Sequence, residues 1–185
     1  MAKHITNAAR GVAAGCCLPV DVFIKSAQNL QKKHPELQFC ISHAPNLSDK
    51  VYNKFLKKTD FKVIKGENQA LLSVSDALIL ASGTVALEAC LYQTPMIIAY
   101  RGPWFFYFIY LMVRCIKRVS LPNIIGGKLI VPEIIQGRVN VQNISYEIEK
   151  LLYNKEYREK NIEDLGEVKK LLSDRISSKE VAFFS

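Results

Sequence analysis

The chain contains no CxxC pair, has three histidines, and has no apolar run near the roughly 20 residues a bilayer-crossing helix requires. Its five cysteines, Cys16, Cys17, Cys40, Cys90 and Cys115, are odd in number, and three sit inside apolar runs. That pattern fits buried free thiols in a reducing compartment, not a disulfide framework. His4, His34 and His43 complete no metal-ligand spacing, so no metal and no cofactor are expected. No internal repeat or low-complexity tract is visible. The stretch Met1–Val20 carries Lys3 and Arg10 ahead of a weakly apolar run, too weak for a signal peptide, and a cytoplasmic chain is expected.

What is present is ordinary for a globular chain: 185 residues, 49% hydrophobic and 23% charged. This length allows one domain with a sizeable core, or one domain and a short appendage. Lys and Arg number 25 against 17 Asp and Glu, leaving +8. A negatively charged partner is expected. Nucleotide phosphates, anionic lipid headgroups and nucleic acid all qualify, and net charge alone does not choose among them.

Short apolar runs alternate with amphipathic segments. Pro19 stands where a first-turn proline would, and Val20, Phe23, Ala27 and Leu30 recur at helical spacing until Pro35. Leu37–Ile41 reads as a strand, and Leu47, Val51 and Phe55 mark a second helix. Phe61–Ile64 reads as a strand, Asn68–Val74 as a short helix, Ala77–Ala81 as a strand apolar on both faces, Thr84–Tyr92 as a helix and Pro95–Tyr100 as another buried strand. Strands without a polar face, separated by helices, predict a doubly wound parallel α/β sheet, Rossmann-like, with its ligand beyond the strands' carboxyl ends. Asn143–Tyr153 and Tyr157–Asp174 read as flanking helices. The expected organisation is a divergent segment at 1–17, the α/β domain at 18–141, flanking helices at 142–176 and a frayed tail at 177–185.

The segment from Ser75 to Ala89 carries the clearest chemistry. A buried strand runs into Ser82-Gly83-Thr84 and a helix starts at once. A small-residue turn lets backbone approach a ligand, and a helix start offers unpaired N–H groups, a natural seat for a diphosphate. Glu88 falls one turn into that helix, where its carboxylate can accept hydrogen bonds from two ribose hydroxyls. A plainer reading makes Thr84 a helix N-cap and Glu88 a solvated charge. Further on, Pro122 fixes a turn and Gly126-Gly127 releases it, which predicts Asn123 at a loop tip. There it either faces a ligand or caps its own backbone. Glu133 follows Pro132, and its plainer reading is a charge at a helix N-terminus.

The stretch SDALILASGTVALEACLYQTPMIIAYR, Ser75–Arg101, resembles the signature of the lipid-A-disaccharide synthases. VSLPNIIGGKLIVPEIIQ, Val119–Gln136, resembles a second signature of that family at the expected distance, and LPVDVFIKSAQNLQKKHPELQF, Leu18–Phe39, also fits its pattern. The resemblance covers roughly Leu18 to Lys150 and is to the C-terminal half of a two-domain GT-B enzyme. It implies transfer of an acylated glucosamine from UDP-2,3-diacylglucosamine to lipid X, without a metal, in lipid A biosynthesis. Ser82, Gly83, Thr84 and Glu88 would hold the UDP moiety, and Asn123, Glu133 and Gln136 would line the donor pocket. The acceptor site and a catalytic Asp belong to the family's other half, so a complementary N-terminal half or a homodimer is an expected partner. The family's C-terminal half also opens with an apolar strand and a Gly-Ser-Arg turn, and the corresponding stretch here, Asn7–Cys16, is expected to lack both.

Between the signatures lies an aromatic run, Trp104–Val113, then Arg114, Lys117 and Arg118. Trp104, Phe105, Phe106, Phe108 and the three cations suit a lipid interface. They suit a core or dimer helix as well. The resemblance favours the lipid, and with it a peripheral position at the inner face of the cytoplasmic membrane. A degenerate half-domain that binds a partner or a membrane, and another UDP-sugar transferase or epimerase, are the competing readings. Nucleic acid is disfavoured because the basic residues are scattered. The chain by itself is expected to bind UDP-sugar weakly and to turn over nothing measurable; disaccharide formation by the purified chain with no added partner overturns that expectation.

Overall fold

A computed structural model describes residues 4–8, 20–43, 59, 61–81, 83–102 and 118–183. Six parallel strands form one sheet in the order β3-β2-β1-β4-β5-β6. They are β1 (His4–Ala8), β2 (Gln38–His43), β3 (Lys62–Lys65), β4 (Ala77–Leu80), β5 (Met96–Tyr100) and β6 (Glu133–Ile135). The helices are α1 (Val20–Lys33), α2 (Asn68–Val74), α3 (Val85–Leu91), α4 (Leu121–Ile125), α5 (Val141–Tyr153) and α6 (Lys155–Phe183). The second helix expected around Leu47–Phe55 and the run Trp104–Lys117 lie outside the described residues.

The strands expected to be apolar on both faces are buried on both. In β4, Ala77 and Ile79 join one core while Leu78 and Leu80 join another. In β5 the split repeats, with Ile97 and Ala99 on one side and Met96 and Ile98 on the other. Period-two alternation thus sends neighbouring residues into different cores. The first core is closed by α1, through Phe23, Ala27 and Leu30, and by α5, through Ile144, Ile148 and Leu151. The second is closed by α3, through Val85, Ala86 and Ala89, and by α6, through Leu165 and Val168. Cys90 is buried in it, and burial pushes its thiol up to about 12, which leaves it protonated and inert. Cys40 is half-buried.

Two elements depart from the expected layout. β1 lies within the stretch set apart as divergent, yet it occupies an interior place in the sheet, with Ile5 opposite Phe39 on β2 and Ala77 on β4. The mixed sequence His-Ile-Thr-Asn-Ala shows neither an apolar run nor clean alternation, so only its two neighbours reveal it as a strand. β1 overlaps only the first two residues of the Asn7–Cys16 stretch expected to lack an apolar strand, and residues 9–16 lie outside the described residues. The second departure is α6, one helix of 29 residues that takes in most of the segment expected to be a frayed tail.

α6 passes along the amino ends of the last strands. Arg158 Nη1 donates to Asp76 O at 2.5 Å, just before β4. Gln93 Nε2 donates to Ile162 O at 3.5 Å, just before β5, and Asn161 Nδ2 donates to Ile130 O at 2.8 Å, ahead of β6. Lys128 adds ion pairs to Asp164 at 2.6 Å and Glu167 at 2.8 Å. The amino edge of the last three strands is thereby covered by α6.

α1 and α5 meet through small and polar groups. Asn29 Nδ2 donates to Ser145 Oγ at 3.2 Å, and Ser145 Oγ donates to Ser26 O at 3.4 Å. At the end of this contact Glu149 lies 2.8 Å from His34 Nε2 and 3.3 Å from Lys33 Nζ. Tyr153 stacks on the His34 ring with centroids 4.4 Å apart. Hydrogen bonding from His34, reinforced by Lys33 and opposed by partial burial, holds the Glu149 carboxyl below its ordinary range. A carboxyl depressed in the folded state stabilises it above the unfolded pKa, and the contribution fades as pH falls through the folded value. Glu149→Gln should therefore lower the thermal midpoint by about 2 °C at pH 7, with the gap to the parent closing below about pH 4 in melts across that range.

Candidate functional site

In a doubly wound sheet the ligand crevice opens where the strand order reverses, outside the carboxyl ends. Here that point lies between β1 and β4, whose last residues, Ala8 and Leu80, are opposite each other. β4 leads directly to Gly83 and Thr84, and α3 begins at Val85. The small-residue turn read from the sequence therefore stands at the switch point.

Within that turn Thr84 is the N-cap residue, with helical dihedrals and no side-chain capping bond. Its carbonyl accepts from Leu87 N at 2.9 Å and Glu88 N at 3.1 Å, so the helix is wound from Thr84 onward. The reading of Thr84 as a side-chain cap does not hold. Its side chain is exposed, and Glu88 stands half-buried one turn along. Val85, Ala86, Ala89 and Cys90 turn inward and anchor the helix, which fixes the face on which Thr84 and Glu88 lie. Ser82 lies outside the described residues.

At the ends of β5 and β6 the chain is tied across the carboxyl edge. Gln136, 8% exposed, donates through Nε2 to Gly102 O at 3.1 Å. Arg101 Nη2 donates to Val139 O at 2.6 Å. Gln136 has φ of 52°, a left-handed conformation uncommon for a residue with a Cβ. Together these bonds hold the segment after β6 against the end of β5. Gln136 is thus brought to the same edge of the sheet as the Gly83–Thr84 turn.

Asn123 and Glu133 are placed differently from expectation. Asn123 is not at a loop tip; it lies inside α4 and is fully buried. Pro122 occupies the first turn of that helix, where a missing N–H costs nothing, and the reversal comes later, at Gly127 with φ of 67°. Glu133 does not start a helix but opens β6. Its carboxylate accepts from Ser120 N at 2.7 Å, Ser120 Oγ at 2.6 Å and Asn123 Nδ2 at 2.8 Å. Val119 N also donates to both oxygens, at 3.1 and 3.0 Å. Sequence reading passed over Ser120, although it stands in the same signature. Arg118 is half-buried and adjoins this cluster in the chain.

A cavity of about 670 Å³ lies elsewhere, between β6, α5 and α6, with Ile130, Tyr146, Tyr157 and Asn161 on its wall. Among the donor-site residues expected from sequence, Glu133 borders it, whereas Gly83, Thr84, Glu88 and Gln136 do not. It is a flank cavity and not the crevice at the switch point. Among the described residues no helix is long and apolar enough to cross a membrane.

The fold is that of one Rossmann-like half of the two-domain GT-B transferases and epimerases. A putative UDP-N-acetylglucosamine 2-epimerase from Listeria monocytogenes superposes with a TM-score of 0.65 at 14% identity, covering 99% of this chain and 45% of that one. The catalytic domain of a cholesterol-α-glucosyltransferase from Helicobacter pylori gives 0.59 at 16% identity, covering 90% and 97%. Such low identities speak for the fold alone. Sequence narrows the class: the chain belongs to the lipid-A-disaccharide synthetase family, whose model matches residues 16–184. It is 32% identical over 154 residues to the lipid-A-disaccharide synthase of Anaeromyxobacter dehalogenans strain 2CP-1, covering 82% of this chain and 40% of that protein. With the Hydrogenovibrio crunogenus synthase it shares 36% over 149 residues, covering 77% and 39%. The chain thus spans about two fifths of the length of these relatives.

The strained Gln136 gives a direct test of this edge. Gln136→Ala and Gln136→Gly both lose the bond to Gly102. At ordinary positions glycine is the less stable of the two by about 0.4–1 kcal/mol, because it gains more freedom on unfolding. At positive φ the order should reverse, and urea unfolding of the two variants measures it.

Proposed function

We propose that this chain supplies the nucleotide-sugar side of a glycosyl transfer from UDP-2,3-diacylglucosamine to lipid X, giving lipid A disaccharide and UDP. The observation that carries the reading is the turn at the switch point. In a member of this family, a fully buried strand runs into Gly83–Thr84 and then into a helix bearing Glu88 on its first turn. The small turn admits a diphosphate close to backbone. Glu88 is at the right remove to accept hydrogen bonds from the ribose hydroxyls, while the phosphates are assigned to Gly83 and Thr84 and, on the family resemblance, to Ser82. Gln136, held across the same edge, lines the donor pocket.

Inverting transfer also needs a base to take the acceptor proton and a second wall to hold the acceptor against the donor. Both are assigned to the other half of the two-domain architecture or to another copy of the chain. Acyl chains and the inner face of the cytoplasmic membrane are assigned to Trp104, Phe105, Phe106, Phe108, Arg114, Lys117 and Arg118, on composition: rings beside cations suit the headgroup boundary.

Calorimetry with UDP on the parent chain and on Glu88→Ala tests the donor assignment. A heat of binding is expected from the parent, weakened about tenfold or more in the variant, as for loss of a charged hydrogen-bond acceptor. Equal heats remove Glu88 from the site, and no heat from the folded parent removes the donor assignment for this chain.

A further inference from the structure

Asn123 and Glu133 belong to a segment that the family resemblance assigns to the donor pocket, but Asn123 spends all its hydrogen bonds inside the chain, and Glu133 Oε1 is crowded with donors from it. A carboxamide can donate twice and accept twice. Asn123 Nδ2 donates to Val131 O at 2.8 Å and to Glu133 Oε1 at 2.8 Å. Its Oδ1 accepts from Ile130 N at 2.7 Å and Val131 N at 2.8 Å. All four places are filled, and the residue is 0% exposed. Glu133 Oε1 accepts from Val119 N, Ser120 N, Ser120 Oγ and Asn123 Nδ2, more partners than its two lone pairs serve ideally. A donor sugar could bind Asn123 only by breaking a bond already made inside the chain, and could meet Glu133 only at Oε2, which accepts from Val119 N at 3.0 Å.

We infer that Asn123 and Glu133 are positioning residues that knot the amino end of α4 to the strand entering β6, and through α4 set the placement of α3. The inference deepens the donor-site reading and rests on it for its functional meaning. Three observations supply the chain of contact. The knot joins residues 119–123 to residues 130–133, either side of the Gly126–Gly127 reversal. α4 then packs against α3, with Ile125 lying on the core formed by Val85, Ala86 and Ala89. α3 in turn carries Glu88 and follows the Gly83–Thr84 turn without a break. The pair works through complementary chemistry, an amide donor facing a carboxylate acceptor. It should therefore tolerate reversal better than loss of one member.

Two single variants and their combination test this. Asn123→Asp sets a second carboxylate against Glu133 Oε1, and Glu133→Gln removes the charge that gathers the backbone donors. The combination Asn123→Asp with Glu133→Gln removes the repulsion between two carboxylates, although the bond to Val131 O stays lost. The thermal midpoint is expected to fall by about 10 °C in Asn123→Asp and to recover by at least about half in the double variant, a coupling that a pair of unrelated packing positions does not show. Amide hydrogen exchange across Val85–Leu91 should accelerate in Asn123→Asp and return toward the parent in the double variant. The folded double variant should bind UDP within about threefold of the parent.

Additive midpoints, or unchanged exchange in α3, overturn the inference. So does a double variant that melts like the parent but binds UDP more than about tenfold more weakly, since that assigns the pair to the ligand itself. Failure of the folded parent to bind UDP sinks the donor-site reading, while the midpoints and the exchange still decide the knot.

Discussion

β4 and β5 have no face toward solvent, and the rest of the molecule is arranged around that constraint. Every residue of β4 and the first four of β5 are buried, so each strand needs apolar cover above and below. A sheet of this kind cannot be closed by hairpins, because parallel neighbours demand crossovers, and the crossover helices are what cover it. α1 and α5 close one side, α3 and α6 the other. With both faces occupied, only the two ends of the strands remain. α6 takes the amino end through Arg158, Asn161 and Ile162. The strand order turns between β1 and β4, and the crevice expected of such a sheet lies at the carboxyl end of those strands.

This division also explains which polar groups are costly and how they are met. Gln136, Asn123 and Ser120 are buried polar residues close to the last two strands, and each has its hydrogen bonds. A buried amide or hydroxyl left without partners would cost a good part of the stability of a domain this size. The bonds run between segments far from regular pairing, from Gly102 to Gln136 and from Val119 to Glu133. They give irregular backbone the definition that strands and helices obtain from their own ladders.

Much of this was legible in the sequence because burial on two faces leaves an unmistakable trace. Ala77–Leu80 and Met96–Tyr100 read as strands since nothing polar interrupts them, and Asn68–Val74 was bounded correctly as a helix. The turn before α3 was legible as a turn, because a small-residue triplet falls between a buried strand and an amphipathic run, while its use was left open by spacing alone. β1 was not legible. Its five residues mix polar and apolar types, and its strand state comes from hydrogen bonding to β2 and β4, which are remote in sequence. The Asn123–Glu133 contact was hidden for a related reason. Pro122 and Gly126-Gly127 announce a turn, but turn chemistry says nothing about whether the residues inside it face water or fold back on the chain. The reach of α6 beyond Asp174 was missed, because the apolar residues that mark the helix, Leu165, Val168 and Leu172 on the second core, end before it.

The path of α6 bears on how the molecule comes together in time. Its bonds reach back to residues 31, 69 and 82 positions away in the chain, and the longest of these loops takes in β4, β5 and β6. α6 follows every strand in chain order. As the polypeptide emerges from the ribosome, β4, β5 and β6 are available for pairing before the helix that seals their amino ends exists. Until then the sheet is held by its strands and by α1, α3 and α5, with one end of two buried strands still wet. Contacts of such long range come late and slowly. α6, with Tyr157 on one core and Leu165 and Val168 on the other, completes the cover of that end last, and a nascent chain is exposed to misassembly before it arrives.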